Sequence, residues 1–110
     1  MAMYRPKYGN KKTTLDGITF DSKKEARRYS ELLLQERAGV ITNLQLQRRF
    51  EIVPKDSMGQ ALYYVADFVY TENGEMVVED TKGGKATQTP VYKLKRRLMY
   101  KVHGIKIKEI

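Results

Sequence analysis

Two kinds of apolar periodicity run along this chain of 110 residues. A period of two residues, typical of β-strands, surrounds Asp16-Gly17, a dipeptide favoured in tight hairpin turns because both positions accept positive φ. We therefore predict a short N-terminal hairpin over residues 12–20. Further segments rich in Val, Ile, Tyr and Phe predict the strands of a main sheet. These strands cover residues 44–54, 62–70, 76–82 and 105–110.

A period of three to four residues predicts two helices. The first begins at Ser22 and runs to just before Gly39, which provides a left-handed cap. The second begins at Thr89-Pro90, an N-cap followed by a first-turn proline, and ends at Gly104. The apolar face of the first helix comprises Ala26, Tyr29, Leu32 and Leu33. The predicted buried stripe of the second comprises Val91, Leu94, Leu98 and Val102.

In order, these elements predict one α/β domain in which helices pack on a sheet. After the hairpin the order is α-β-β-β-α-β, and the first three strands of the sheet form a meander. We place the domain at residues 12–110, preceded by a flexible basic arm over residues 1–11. Residues 83–88 form a loop before the second helix. A chain of this length has room for one modest core, so dimerisation or ligand binding is expected to contribute to stability.

The charge balance indicates the kind of partner. Lys and Arg total 21 against 13 Asp and Glu, a net charge of +8, which is typical of nucleic-acid binders but also of ribosomal and membrane-surface proteins. There is no Cys and one His, which excludes disulfides, thiolate zinc sites and metal sites built from several His, and Ser-His-Asp hydrolysis would need a nucleophile positioned beside that His. Any metal would need oxygen ligands, which favours Mg²⁺ or Mn²⁺. No segment has the length of a membrane span or the pattern of a signal peptide, so we expect a soluble, intracellular protein with no membrane partner.

Two aspartates at the ends of consecutive strands are candidate metal ligands. Residues two apart on a strand share a face, so Asp80 and Lys82 project together while Glu79 and Thr81 point the other way. Asp67 can face the same point from the neighbouring strand. Like charges placed together repel unless a cation joins them, so we interpret the site as one for a divalent cation and a phosphate, with the Thr81 carbonyl as a further ligand. The alternative is a surface ion pair between Asp80 and Lys82, worth under ~1 kcal/mol.

Glu25 is a third acidic candidate. It lies one helical turn before Tyr29 and therefore near the edge of the helix that faces the core. The segment from Ser22 to Glu25 also has the pattern of a capping box, in which the Glu carboxylate reaches back to the amide of the N-cap residue. Both roles can coexist, because the carboxylate can serve the cap without metal and contact the metal when it is bound.

Together these residues form an ordered pattern. It comprises Ser22-x-x-Glu25 on the first helix, Tyr-Val-Ala-Asp67-Phe, Val-Val-Glu-Asp80-Thr-Lys82, and a basic helix opened by Thr-Pro. The pattern resembles the PD-(D/E)XK nuclease superfamily, and within it small phage-encoded endonucleases similar to Holliday-junction resolvases. The resemblance covers residues 8–110 and differs at Ala66, where the family has a proline that shapes the strand end and performs no chemistry.

The resemblance implies a restriction-endonuclease-like core built on a mixed sheet. It places Glu25, Asp67, Asp80 and Lys82 in the catalytic positions, with Mg²⁺ or Mn²⁺ bound by the three acids and Thr81. It implies hydrolysis of DNA that leaves 5′-phosphate and 3′-hydroxyl ends. A resolvase cuts two strands symmetrically, so a homodimer is expected. The expected location is the cytoplasm of a bacterial host, with the gene carried by a phage or prophage.

Basic residues on both helices are candidate DNA contacts. Residues Lys93, Arg97 and Lys101 recur every four positions on the second helix, as a stripe suited to a phosphate backbone. The alternative is a solvated helix face. The first helix and the first strand of the main sheet extend the basic field with Lys23, Lys24, Arg27, Arg28, Arg48 and Arg49. Gln47 resembles polar residues that lie near such active sites.

These observations lead to a functional hypothesis with two rivals. The hypothesis is a metal-dependent DNA endonuclease that acts on DNA, including branched DNA such as Holliday junctions. The first rival is a non-catalytic basic DNA-binding module that retains a nuclease fold, and the second is an RNA-binding or ribosome-associated protein. Cleavage that depends on a divalent ion distinguishes the hypothesis from both.

Overall fold

The computed structural model describes residues 12–82 and 88–110. Its elements are β1 Thr13–Leu15, β2 Ile18–Phe20, α1 Lys23–Arg37, β3 Thr42–Val53, β4 Leu62–Glu72, β5 Glu75–Asp80, α2 Pro90–His103 and β6 Lys108–Glu109. The predicted mixed α/β class and element order are confirmed. The predicted arm over residues 1–11, and residues 83–87 of the predicted loop, lie outside the described residues.

Turns and helix ends form where the local sequence favours them. Asp16 and Gly17 connect β1 to β2 with φ of 52° and 76°, the left-handed values that a tight hairpin turn requires. At the start of α2, the hydroxyl of Thr89 accepts a hydrogen bond from the amide of Tyr92 at 3.1 Å. At its end, Gly104 has φ of 69° and its amide donates to the preceding turn. The predicted hairpin and both ends of the second helix are therefore confirmed.

The main sheet has the order β3-β4-β5-β6. The first three strands form the predicted antiparallel meander, and β6 joins β5 in parallel. The prediction for the last strand was wrong in length, because only residues 108–109 pair with β5. The physical reason lies at both ends: the amide of Ile105 still bonds to the Met99 carbonyl of α2 at 3.4 Å, which delays the start of the strand, and β5 ends at Asp80, which limits its extension. The amide of Ile110 makes one last bond, to the Asp80 carbonyl at 2.9 Å.

The two helices cover opposite faces of this sheet. The buried cluster on one side joins the apolar face of α1 to Phe68 and Tyr70. The cluster on the other side joins α2 to Val69 and Val78. Because neighbouring residues of a strand face opposite sides, these contacts place one helix on each face. The predicted apolar face of α1 is confirmed, since Ala26, Tyr29 and Leu32 are buried and Leu33 packs against them.

The buried side of α2 differs from the prediction. Tyr92 and Met99 are 6% and 0% exposed, whereas Val91, Leu94 and Val102 are 61%, 59% and 51% exposed. The predicted stripe was therefore wrong, apart from Leu98, which packs partly against the core. Apolar residues occur on two sides of this helix, and packing against the sheet selects the side that carries Tyr92. Neither α1 nor α2 has the length and apolar content of a membrane span, within residues 12–82 and 88–110.

Candidate active site

The candidate site lies where the pairing of β4 is interrupted toward β3 and ends toward β5. Toward β3, the pairing skips Gln47, whose φ of 52° takes its backbone out of the ladder. Toward β5, the last antiparallel pair joins Phe68 to Glu79. Asp67 and Asp80 are the next residues along these two strands, so the register brings both predicted acids to the same end of the sheet.

Asp67 is held by its neighbours on two sides. Its Oδ2 accepts hydrogen bonds from the Thr81 amide at 2.9 Å and the Thr81 hydroxyl at 2.8 Å. The side-chain amide of Gln47 donates to Glu25 Oε1 at 3.1 Å and lies 3.5 Å from Asp67 Oδ1. Gln47 therefore links the acid on α1 to the acid on β4. Thr81 contacts Asp67 through its amide and hydroxyl, so the prediction that its side chain points away from the site with Glu79 was wrong, because β5 ends at Asp80 and strand alternation stops there. The role of its carbonyl as a metal ligand stays a prediction.

Asp80 lies deeper than Asp67 and has different partners. It is 0% exposed, and its Oδ2 accepts a hydrogen bond from the Tyr64 hydroxyl at 2.6 Å. The Lys82 ammonium lies 3.2 Å from the other oxygen, Oδ1. The prediction that Asp80 and Lys82 share a face is confirmed. The alternative of a simple surface pair is wrong, because the carboxylate has no contact with solvent.

Glu79 points to the opposite face, as predicted. It is fully buried and binds the Arg28 guanidinium through two bonds, with Nε 2.6 Å from Oε1 and Nη2 3.0 Å from Oε2. The Tyr70 hydroxyl also donates to it. The hydrogen bond to Glu79 raises the pKa of Arg28. Because this ion pair occupies its guanidinium, Arg28 does not belong to the predicted set of DNA contacts.

Glu25 begins α1 but does not complete the predicted capping box. Its amide donates to the Ser22 hydroxyl at 3.1 Å, which confirms Ser22 as the N-cap. Its carboxylate accepts from Gln47 on β3 and not from the Ser22 amide. The reciprocal half of the capping box was therefore wrong, because a tertiary partner replaces the local one. This frees the carboxylate to face the strand ends, where it is 5% exposed.

The acids and the lysine perturb one another. Burial, followed by the negative charges of Asp67 and Asp21, raises the pKa of Glu25 to about 7. Burial and the charge of Asp67 likewise raise the pKa of Asp80, although its hydrogen-bond donors oppose this. Burial disfavours the charged form of Lys82, but the surrounding carboxylates outweigh it and the pKa is raised. The site therefore contains three buried carboxyl groups and one ammonium group, so the carboxyl groups outnumber the positive charge that could balance them.

The donor types of this site suit a hard cation, because all three acids offer carboxylate oxygens. Burial and the nearby charge of Asp67 raise the pKa values of Glu25 and Asp80, so negative charge is unfavourable here and a cation would relieve it. Among residues 12–82 and 88–110, however, no three His, Cys, Asp or Glu side chains are grouped closely enough to form a metal-binding cluster. Oxygens of Asp67 and Asp80 are instead bound by Thr81, Tyr64 and Lys82. The Mg²⁺ or Mn²⁺ site stays a prediction.

The predicted DNA contacts lie on the surface in two groups. Lys93, Arg97 and Lys101 are exposed along α2, and Lys23 and Arg27 are exposed on α1. The two helices cover opposite faces of the sheet, so the two groups of cations lie on different sides of the protein and do not form one continuous basic surface. Their contact with DNA stays a prediction.

Sequence reasoning missed Tyr64 and understated Gln47. Tyr64 lies sixteen residues from Asp80 in sequence, and its contact depends on how the two strands pack, so no local pattern indicates it. Gln47 resembled an active-site polar residue only by type. Its position between Glu25 and Asp67 follows from the register of β3 against β4, which a single sequence does not provide.

The fold and the site define a mixed α/β protein with a buried acidic cluster at one end of a four-stranded sheet. Residues 5–110 match the family described as "Protein of unknown function (DUF1064)", and the chain belongs to this family. Comparison with curated proteins and with solved structures gave no match.

Proposed function

We propose that this protein is a metal-dependent DNA endonuclease with a restriction-endonuclease-like core. The observation that carries the proposal is the convergence of Glu25, Asp67, Asp80 and Lys82 at one end of the sheet. The charge of Asp67 raises the pKa values of Glu25 and Asp80, and the carboxylates together raise the pKa of Lys82. A buried excess of carboxylates is unfavourable in itself, and strongly perturbed groups collect at functional sites.

The three carboxylates are the groups that would hold Mg²⁺ or Mn²⁺, together with the Thr81 carbonyl. A bound divalent ion would neutralise phosphate charge and lower the pKa of water. The hydrogen bonds that now occupy the carboxylates come from side chains and one amide within the site. Binding of a cation would therefore replace interactions made by Gln47, Thr81 and Lys82.

The remaining chemistry is assigned to side chains of the chain itself. Hydrolysis forms a bond from a water oxygen to phosphorus and breaks the bond to the 3′ oxygen, so negative charge develops on the phosphate. The Lys82 side chain is 39% exposed, so a phosphate can reach its ammonium, which would stabilise that charge. Glu25, whose pKa is raised to about 7, would accept the proton of the attacking water near neutral pH if it meets the cation through that water and not directly.

DNA is the proposed substrate because of the charge of the chain. The net charge is +8, and exposed cations on α2 supply a stripe for the phosphate backbone. We include branched DNA among the proposed substrates. Symmetric cleavage of a branch requires two sites that act on two strands, and a two-fold dimer would present them, so we propose that the active form is a homodimer.

The direct test is cleavage of plasmid, junction, flap and single-stranded DNA by purified protein with Mg²⁺, Mn²⁺ or EDTA. We expect cleavage only with a divalent ion. Asp80→Asn and Lys82→Ala should each lower the rate at least ~100-fold, because each removes charge from the reacting centre. Both variants should still bind DNA, since phosphate contacts elsewhere supply the affinity.

Glu75→Gln is the matched control, because Glu75 is exposed at the opposite end of the same strand as Asp80. It should cleave like the unmodified protein. Full activity of Asp80→Asn would contradict the assigned chemistry. DNA binding by the unmodified protein without cleavage of any substrate would instead support the rival, a non-catalytic DNA-binding module.

A further inference from the structure

An open groove of about 630 Å³ lies between α2 and the C-terminal segment. Its volume is in the range of sites that hold a small ligand, and one nucleotide unit is of that size. The side chains that matter for the inference are Lys93, Arg96, Arg97, Tyr100, Lys106 and Glu109. They combine positive charge with an aromatic ring.

The groove carries an excess of positive charge. Its lining has four cationic side chains and one carboxylate, so its net charge is +3. The carboxylate of Glu109 is bound by Arg96 at 3.0 Å. Within residues 12–82 and 88–110, no carboxylate forms an ion pair with Lys93, Arg97 or Lys106. Three cations therefore remain for an anionic ligand.

Tyr100 adds a second kind of interaction. Its side chain is 58% exposed, although a tyrosine gains by covering its ring. Proteins that bind single-stranded nucleic acid combine a basic groove with aromatic rings on which bases stack. A base within a duplex is already stacked on its neighbours and does not offer its face. A ring beside three free cations therefore favours an unpaired nucleotide over a base pair.

The wall of the groove continues into the candidate active site. Glu109 on β6 is the register partner of Asp80 on β5. The Tyr92 hydroxyl donates to Glu109 at 2.7 Å, and the Lys82 ammonium lies 5.4 Å from the centre of the Tyr92 ring. One layer of side chains therefore separates the groove from the lysine to which we assign catalysis.

We propose that this groove binds an unpaired nucleotide within a DNA strand, with its base on Tyr100 and with its own and the neighbouring phosphates of the strand on Lys93, Arg97 and Lys106. The inference rests on the proposed function and deepens it, because it assigns the nuclease to DNA that has unpaired nucleotides next to the cleavage point. The pair of Arg96 and Glu109 positions the wall and does not contact the nucleotide.

The test measures binding without cleavage. Fluorescence anisotropy in EDTA would compare a labelled oligothymidylate with a duplex of equal length. Tyr100→Ala should weaken binding of the single strand roughly 10-fold, because a base loses its stacking partner. Tyr100→Phe should retain affinity, since the ring remains. Binding of the duplex should change less than about two-fold in both variants, because backbone contacts dominate it.

Lys106→Ala should also weaken binding of the single strand, whereas Lys55→Ala, an exposed lysine outside the groove, should not. Thymidine 5′-monophosphate should compete poorly with the strand, since it lacks the neighbouring phosphates. Equal competition would assign the groove to free nucleotides and overturn the proposal. An equal loss for single strand and duplex in Tyr100→Ala, or no loss, would overturn it as well. None of these outcomes depends on catalysis, so they are separable from the cleavage test.

Discussion

Gln47 shows how the candidate site depends on the conformation of a single residue. Its left-handed backbone, with φ of 52°, is unfavourable for a residue with a Cβ by roughly 1 kcal/mol. Strained residues of this kind often lie at functional sites. Here the strained position directs one side-chain amide toward Glu25 and Asp67. The bridge holds an acid on a helix and an acid on a strand close together, at the point where both would face a substrate.

The protonation of Glu25 leads to a prediction for stability. Its folded pKa is about 7 against an ordinary value of 4.5, so the folded state holds a proton that the unfolded state releases between these values. The free energy of unfolding should therefore fall as pH rises through this window, by about 3 kcal/mol from this group. Glu25→Gln should remove that part of the dependence. Urea unfolding across the window measures the effect.

Glu51→Gln, at an exposed position of β3, is the control and should keep the dependence of the unmodified protein. A dependence of the same sign should remain in Glu25→Gln, because the pKa of Asp80 is also raised. If Glu25→Gln unfolds with the pH dependence of the unmodified protein, the assigned protonation of Glu25 is wrong.

At the scale of elements, the end of β5 carries a buried acidic side chain on each face of the sheet. Glu79 and Asp80 are adjacent, are both 0% exposed, and face opposite sides of the sheet. Strand alternation sends Glu79 toward α1, where Arg28 and Tyr70 bind it, and sends Asp80 toward Tyr64. One strand end therefore carries a structural ion pair on one face and a candidate catalytic carboxylate on the other.

The ion pair between Arg28 and Glu79 leads to a prediction for α1. Arg28→Met should lower the free energy of unfolding by about 3 kcal/mol, because it leaves a buried carboxylate without its partner. Arg27→Met is the matched control on the next residue, which is exposed, and should leave the unfolding curve unchanged. Arg27→Met should instead weaken binding to DNA. Urea unfolding and anisotropy of labelled DNA distinguish the two effects, and equal stability of the two variants would contradict the structural role of Arg28.

For the whole molecule, the sheet separates two basic surfaces. α1 and α2 lie on opposite faces, and each carries exposed cations on its outer side. Among the residues that the structure describes, the exposed cations of the two helices therefore do not form a single patch. A duplex contacted by α2 would leave the cations of α1 to a second DNA segment, which is the arrangement that a branched substrate offers.

The salt dependence of binding tests the role of α2. A variant with Lys93→Ala and Arg97→Ala should bind a four-way junction more weakly. The slope of log K against log salt should decrease in magnitude by about two, because two phosphate contacts are lost. The control, Arg37→Ala with Lys55→Ala, removes the same charge from exposed positions outside the proposed contacts. An unchanged slope in the first variant would remove α2 from the interface.

Local patterns in the sequence were sufficient for the element order and for most boundaries. Asp16-Gly17, Ser22, Thr89-Pro90 and Gly104 act within a few residues of themselves, because turn and cap preferences come from the backbone and from nearby hydrogen bonds. Strand alternation likewise placed Asp80 beside Lys82 and Glu79 on the other face. These features are local, so a single sequence contains them.

Features that join distant segments required the packed chain. The burial of Tyr92 and Met99 in place of Val91 and Leu94 depends on which side of α2 fits the sheet. The two-residue length of β6 depends on where the chain leaves α2 and where β5 ends. The bond of Glu25 to Gln47 and that of Asp80 to Tyr64 depend on strand register, and register is set by contacts between segments far apart in sequence. Periodicity therefore specified the elements and the positions of the acids in the chain, while packing determined how deeply each acid is buried and which partners it has.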